Sequence, residues 1–321
     1  MGLTLLVLAD PADPTLTTLR SSGAAAGVEI VAGRSLEALG RALDGATAIL
    51  HWSSDGATLA RVLGSAPRVR WVHSWAAGVE TVLSPALVER DVVLTNTRGV
   101  YSRSLAEFAL GAMLYFAKDF QRMKASQGAR RWEPFDVQML DGATLGIAGY
   151  GDIGRAVGKL GRSAGMNLLA LRRHPERSSD DPLRPEMAAS PQALCARSDY
   201  LVLAAPMTSE TRHLIGPAEL AAMKPTAVLV NVGRGGLVDQ TALVAALRRG
   251  ALKGAALDVF ETEPLPTGDP LWELPNVLVS PHTADHTATW REEAMQLFLD
   301  NLQRFRAGEP LRNVVDKARG Y

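Results

Sequence analysis

The sequence predicts an α/β protein built from two doubly wound parallel-sheet domains, and two observations predict it. Short, almost unbroken apolar runs alternate with Ala/Leu-rich segments of helical period, the pattern of a parallel sheet covered on both faces. The alternation is interrupted once, near residue 100, by a long apolar helical segment, and then restarts. At 321 residues and 47% hydrophobic, the chain is long enough for two cores.

In chain order, the first strands are LTLLVLA (3–9), VEIVAG (28–33), TAILHW (47–52), VRWVHS (69–74) and VVLTN (92–96), separated by segments such as SLEALGRAL and ATLARVLG. SRSLAEFALGAMLYFAKDFQRM then reads as one helix over 102–123, apolar on more than one face. A monomer would expose much of it, so pairing across a two-fold axis is expected. TLGIAG, NLLALR, DYLVLAA, TAVLVNV and GAALDV resume the pattern, and a last helix over 287–306 follows NVLVSPHTADH. This gives a discontinuous domain of 1–98 plus 289–321, and a second domain of 99–288. ERSSDDPLRPE (176–186), polar and proline-containing, is expected to be disordered.

The partners are bounded by charge and cysteine content. The 34 basic and 34 acidic residues cancel, leaving no basic footprint for nucleic acid. The amino terminus, MGLTLLVLADPADP, has no basic leader and reads as a buried strand rather than a signal peptide. No apolar run approaches the ~18 residues of a membrane span. The single cysteine, Cys195, rules out an intrachain disulfide and suits a reducing cytosol, so a cytoplasmic location is expected.

One motif speaks for a cofactor. Gly149-Tyr150-Gly151-Asp152-Ile153-Gly154 stands between the apolar run TLGIAG and the helical segment RAVGKLGRSAG, the context a dinucleotide fingerprint requires. Gly149 permits the tight turn, Gly151 leaves room for a pyrophosphate, and Gly154 allows close helix–strand packing. The helix start aims free N–H groups and its positive dipole end at the phosphates. At the end of the next strand, where an acid would take the ribose hydroxyls of NAD, stand Arg172 and Arg173. Forked guanidinium groups suit a 2′-phosphate. Only six of the basic residues are lysine, so a single arginine there would carry little weight. Two in succession predict NADP(H), with NAD(H) left open.

Three later segments carry polar residues at strand ends: VLVNVGRGGLVD (228–239), GAALDVFETEPL (254–265) and NVLVSPHTADHT (276–287). With the fingerprint, the WAAGVE loop (75–80) and GVYSRSLAE (99–107), they resemble the D-isomer-specific 2-hydroxyacid dehydrogenase family, most strongly over 140–285. The resemblance implies a Rossmann nucleotide domain inserted into a flavodoxin-like substrate domain, a homodimer, and interconversion of a small 2-keto acid and a D-2-hydroxy acid. It implies Arg234 on the substrate carboxylate and keto oxygen, His282 as acid/base, and Glu263 as its carboxylate partner. It also implies that backbone amides of the loop containing Ala77, Gly78 and Val79 take the other carboxylate oxygen, and that Pro206, Val232 and Asp258 belong to segments flanking the nicotinamide and ribose. Taken singly, Arg234 could be a structural ion pair, Glu263 a helix cap and His282 a core histidine; the joint pattern favours catalysis. His51, Trp52 and Tyr101 are candidates for the pocket or for packing in equal measure.

Asp285 and His286 depart from the family pattern and are expected to tune the pocket mouth. A metal site through the i, i+4 histidines 282 and 286 is set aside for want of further ligands. The closing LRNVVDKARGY has no functional reading. The expected function is an NADP(H)-dependent reductase of glyoxylate/hydroxypyruvate type. Two alternatives are a dinucleotide-sensing binding protein like the family's corepressor relatives, and a dehydrogenase of another small oxyanion such as phosphite. Formate is disfavoured because Glu263 stands where that branch carries an amide. A phosphoglycerate-type enzyme remains open, although no added regulatory domain follows.

Overall fold

In the computed structural model, which describes residues 2–52, 56–178 and 180–320, the apolar runs form strands. The elements are β1 (Thr4–Leu8), α1 (Thr15–Ser21), β2 (Glu29–Ala32), α2 (Leu36–Leu39), α3 (Ala42–Gly45), β3 (Ala46–His51), α4 (Gly56–Ser65), β4 (Trp71–Ser74), α5 (Pro85–Val88) and β5 (Val93–Asn96). Then follow α6 (Ser102–Ala117), α7 (Phe120–Gly128), β6 (Thr144–Ala148), α8 (Asp152–Ser163), β7 (Asn167–Leu171), β8 (Glu186–Met187), α9 (Pro191–Arg197) and β9 (Tyr200–Leu203). The series ends with α10 (Pro217–Ala222), β10 (Val228–Asn231), α11 (Gln240–Arg248), β11 (Gly254–Leu257), β12 (Val277–Val279) and α12 (Trp290–Ala307). The chain divides into two units, Met1–Tyr101 with Thr287–Tyr321, and Ser102–His286.

The first unit holds a parallel sheet in the order β2-β1-β3-β4-β5. Alternate side chains of each strand serve opposite faces, as the pleat demands. Leu6, Leu8, Ile49, Val72 and Leu94 pack with Leu59, Val62 and Leu63 of α4 on one face. Leu5, Val7, Leu50 and Trp71 pack with α1 and with Met295, Phe298 and Leu302 of α12 on the other. Trp71 is fully buried, stacks on Phe298 at 5.3 Å, and donates from Nε1 to Thr95 Oγ1. Burial pushes the neighbouring His73 down to about 3, so this imidazole is neutral. The closing stretch straps the sheet edge: Val315 N donates to Leu94 O, and Lys317 Nζ to the carbonyls of Leu87, Arg90 and Val92.

The second unit holds a parallel sheet in the order β12-β11-β10-β9-β6-β7-β8. The order reverses at β6, and open α/β sheets bind ligands outside the carboxyl ends of strands at such a switch point. Ala109, Ala112, Met113 and Phe116 of α6 are buried, and this helix packs on α8 and β10.

Two expectations are corrected. The helix expected over 102–123 is two helices. The chain turns at Asp119, whose φ of 52° is left-handed and whose carboxylate caps α7 by accepting from Arg122 N. The exposed large apolar residues of this region lie beyond α6, at Phe120, Met123, Trp132, Val137 and Met139. The stretch 176–186 is not structureless: it carries the end of a 3₁₀ turn at Pro175–Ser178, a buried Asp181 paired with Arg155 at 3.1 Å, and the start of β8. Ser179 lies outside the described residues.

Candidate active site

Backbone geometry explains the glycine loop between β6 and α8. Gly149 has φ 93°, and a Cβ there would lie 2.3 Å from Ala205 N, so only glycine lets this turn pass β9's exit. A Cβ on Gly151 would meet nothing, leaving open space in front of the helix. No side chain caps α8, and the amides of Ile153 and Gly154 have no acceptor among the described residues. A twelve-residue helix with bare first-turn donors suits a pyrophosphate, so these residues fit a dinucleotide. Asp152 is exposed at the helix start. Arg172 is half-buried at the end of β7, and Arg173 is ion-paired with Glu210.

At the carboxyl ends of β10, β11 and β12 the structure brings together Arg234, Asp258, Glu263 and His282. Asn231, the last residue of β10, shapes the first turn: its Nδ2 donates to Arg234 O and its Oδ1 accepts from Gly233 N. A Cβ on Gly235 would fall 1.8 Å from the Phe260 carbonyl carbon, so glycine lets the arginine turn touch the loop after β11. Val232 is buried, and Pro206 is exposed, its carbonyl accepting from Thr211 Oγ1.

Asp258 is 1% exposed, and its carboxylate is fed by the chain that carries the histidine. It accepts from Ser280 Oγ at 2.6 Å, Thr283 N at 2.9 Å and Ala284 N at 3.1 Å. These bonds hold His282 in a left-handed conformation, φ 54°, uncommon for a residue other than glycine. Its Nδ1 donates to Glu263 Oε2 at 2.6 Å, while Glu263 Oε1 accepts from Phe260 N. Nε2 has no hydrogen-bond partner among the described residues.

The two charges steady one another. Burial pushes the Glu263 carboxyl up, but the bonds from His282 and Phe260 N, with the charges of His282 and Arg234, outweigh it and hold the group below the usual glutamate range. The bond to Glu263 dominates at His282, outweighs burial and Arg234, and, aided by the charges of Glu263 and Asp258, lifts the imidazole above its ordinary value. The imidazolium therefore persists to higher pH than in a free histidine. Next along, Asp285 lies 3.7 Å from His286 Nε2, and burial pushes its carboxyl up.

In the first unit, the loop after β4 has its carbonyls tied inward. Trp75 O accepts from Thr97 Oγ1 and from Tyr101 Oη, and Ala77 O from Asn96 Nδ2 at 2.6 Å. The amides of Ala76, Ala77, Gly78 and Val79 have no acceptor among the described residues. Such a run of bare N–H groups has the donors an anion site needs. His51, Trp52 and Tyr101 are buried, which favours packing over pocket lining.

A family model described as D-isomer specific 2-hydroxyacid dehydrogenase, NAD binding domain, matches residues 110–284. The chain belongs to this family. A glyoxylate reductase of Korarchaeum cryptofilum is 36% identical over 80% of this chain and 79% of its own length. A glyoxylate/hydroxypyruvate reductase B of Pectobacterium carotovorum is 37% identical over 79% of this chain and 81% of its own length. A D-isomer specific 2-hydroxyacid dehydrogenase from Xanthobacter autotrophicus, solved with NADPH and MES, superimposes over the whole of both chains with a TM-score of 0.86 and 30% identity. This dehydrogenase accordingly uses a nicotinamide dinucleotide.

The motifs left several of its supports unnoticed. Asn96, Thr97 and Ser280 act only through contacts that folding creates, and Thr97 and Ser280 are of the commonest polar types. Asn231 stood inside the quoted segment VLVNVGRGGLVD, and its amide bonds to Gly233 N and Arg234 O shape the turn that carries the arginine. Replacing Asp258 with alanine is expected to free the Thr283 and Ala284 amides. A hydrogen bond to a charged group is worth about 1.5–3 kcal/mol, so amide exchange at these two positions should accelerate on the order of tenfold or more. Unchanged exchange rates would show that Asp258 does not hold the loop.

Proposed function

We propose that this dehydrogenase is an NADPH-preferring reductase of small 2-keto acids of the glyoxylate/hydroxypyruvate type, giving the D-2-hydroxy acid, and that it works as a cytoplasmic homodimer. The observation that carries the reading is the 2.6 Å bond between Glu263 and His282, with Arg234 close enough to shift both charges. When bound, the nicotinamide supplies hydride to the keto carbon. His282 donates the Nε2 proton to the developing alkoxide. Glu263 keeps the Nδ1 proton in place and stabilises the imidazolium. Arg234 offers a planar fork to the carboxylate and keto oxygen, and the amides of Ala77, Gly78 and Val79 offer donors to the other carboxylate oxygen. Gly149, Gly151, Asp152, Ile153 and Gly154 serve the pyrophosphate, and Pro206, Val232 and Asp258 border the nicotinamide side.

Arg172 and Arg173 support the preference for NADPH. A 2′-phosphate would compete with the Glu210 carboxylate for Arg173, an exchange of one anion for another. Two NADPH-dependent glyoxylate/hydroxypyruvate reductases of Sinorhizobium meliloti, 25% and 27% identical, were solved with NADP. A panel of glyoxylate, hydroxypyruvate and pyruvate with each cofactor tests the proposal. Wild type is expected to turn over the first two with a higher kcat/KM for NADPH than for NADH. Replacing Arg172 with Asp and Arg173 with Ser should raise KM for NADPH far more than for NADH. A preference for NADH would leave the arginines as surface charges, and binding without turnover would favour a dinucleotide sensor.

The pH dependence tests the catalytic pair. Ketone reduction consumes imidazolium, so its rate falls as pH rises through the His282 pKa. Glu263→Gln removes the charge that raises this pKa and should move the falling limb to lower pH. His282→Gln should abolish the limb and cost roughly 10²–10⁴ in rate. A limb that stays in place in Glu263→Gln would separate the carboxylate from the acid.

The exposed residues Phe120, Met123, Trp132, Val137 and Met139 support the dimer. Trp132 is 96% exposed, which a monomer in water would leave unpaired at a cost. Sedimentation should give a dimer, its interface burying upwards of ~2,000 Å² as obligate pairs do. A fully active monomer at low concentration would refute this.

A further inference from the structure

We propose that the amino-terminal edge of the first unit's sheet binds a phosphorylated small molecule, held by Arg68 and Arg70. A cleft of about 1040 Å³ opens there, where β1, β3, β4 and β5 begin. Arg70 immediately precedes β4, whereas the bare-amide loop follows the end of the same strand. Four strand residues advance the chain by ~13 Å at 3.3 Å each, so the cleft and that loop occupy opposite ends of the sheet. The cleft is therefore distinct from the anion receptor assigned to the keto acid.

Its charge is one-sided. Arg68, Arg70, Arg90 and Arg306 line it, against Asp91 as the only acidic lining residue. Glu29, outside the lining, accepts from the hydroxyl of Thr4, a lining residue, and Asp44 and Glu89 adjoin the lining residues Gly45 and Arg90 in sequence. Arg90 is spent on backbone, donating to the carbonyls of Leu63, Ala66, Pro67 and Val69. Arg306 donates to Ala24 O. These carbonyls satisfy donors without cancelling charge, so the positive potential remains. Lys317, bonded to three carbonyls along the same edge, adds to it.

Arg68 and Arg70 supply the open donors, since neither has a carboxylate partner among the described residues. Arg70 is also pre-positioned. Its guanidinium lies over the Phe305 ring at 5.3 Å, and Phe305 lies against the buried Trp71 at 5.1 Å. A stacked guanidinium keeps its N–H edge free while losing little further entropy on binding. Thr47 Oγ1, on another lining residue, has no hydrogen-bond partner. Two forks in a net positive cleft suit a dianionic phosphate better than a single carboxylate. The volume stands at the upper end of the ~300–1,000 Å³ of small-molecule sites, which leaves room for an organic body beside the phosphate.

The test is calorimetric titration of the full chain, with NADP⁺ saturating so that the glycine loop is occupied. Inorganic pyrophosphate probes the phosphate donors, and a sugar bisphosphate probes the organic body. Wild type is expected to bind both, the sugar bisphosphate more tightly, with affinity falling as salt rises. Arg68→Glu/Arg70→Glu should weaken binding at least about tenfold, the loss expected for charge-assisted contacts, while keto acid turnover without added phosphate stays unchanged. Should that variant fold poorly, Arg68→Gln/Arg70→Gln gives the same comparison. Absence of binding to wild type, or equal affinity in a folded variant, overturns the proposal. Neither result bears on the keto acid reading, which the turnover assay reports separately.

Discussion

The candidate site depends on one buried carboxylate. Asp258 lies at the end of β11 with almost no exposure, and an ionised group so placed needs donors to replace water. The donors are Ser280, Thr283 and Ala284, which flank His282 on both sides. Satisfying Asp258 thus fixes the histidine loop and sustains the left-handed backbone at His282. Glu263 enters from the first part of the same loop after β11, steadied by the Phe260 amide. Gly235 carries the arginine turn against Phe260. Three strand ends are tied at one place, and the acid, its partner and the cation follow from that tie.

With zero net charge overall, the chain can offer an anion only local donors. Bare amides at the start of α8 and in the loop after β4 are built in the same way: carbonyls or helix geometry leave the N–H groups without acceptors, and glycine keeps side chains clear. Under the proposed function, the arginines would add charge where the ligand's own charge is concentrated. Arg173 is held by Glu210 and the loop carbonyls by Asn96, Thr97 and Tyr101, so these donors are largely oriented before a ligand arrives.

Much of this was legible in the sequence because parallel strands buried on both faces read as apolar runs, and each run predicted over 3–96 has its strand within it or shifted by one residue. The grouping of Arg234, Asp258, Glu263 and His282 was legible because each follows a strand end in a compact motif. What escaped has a common physical cause. The helical period runs unbroken through Lys118, yet Asp119 adopts a left-handed turn that its residue type permits but does not announce. β8 has two residues, too few to show a pattern. The pairing of Arg173 with Glu210 and the strap formed by Lys317 join residues far apart in sequence, where local reading has no purchase.

The most direct measurement is the titration of the His282 ring nitrogens by NMR in the free enzyme. A histidine held by an ionised carboxylate should titrate above the ordinary value near 6.5, keep its Nδ1 proton bonded across the titration, and lose the upward shift in Glu263→Gln. A His282 that titrates at or below that value in wild type, or is indifferent to Glu263→Gln, would contradict the account of this site.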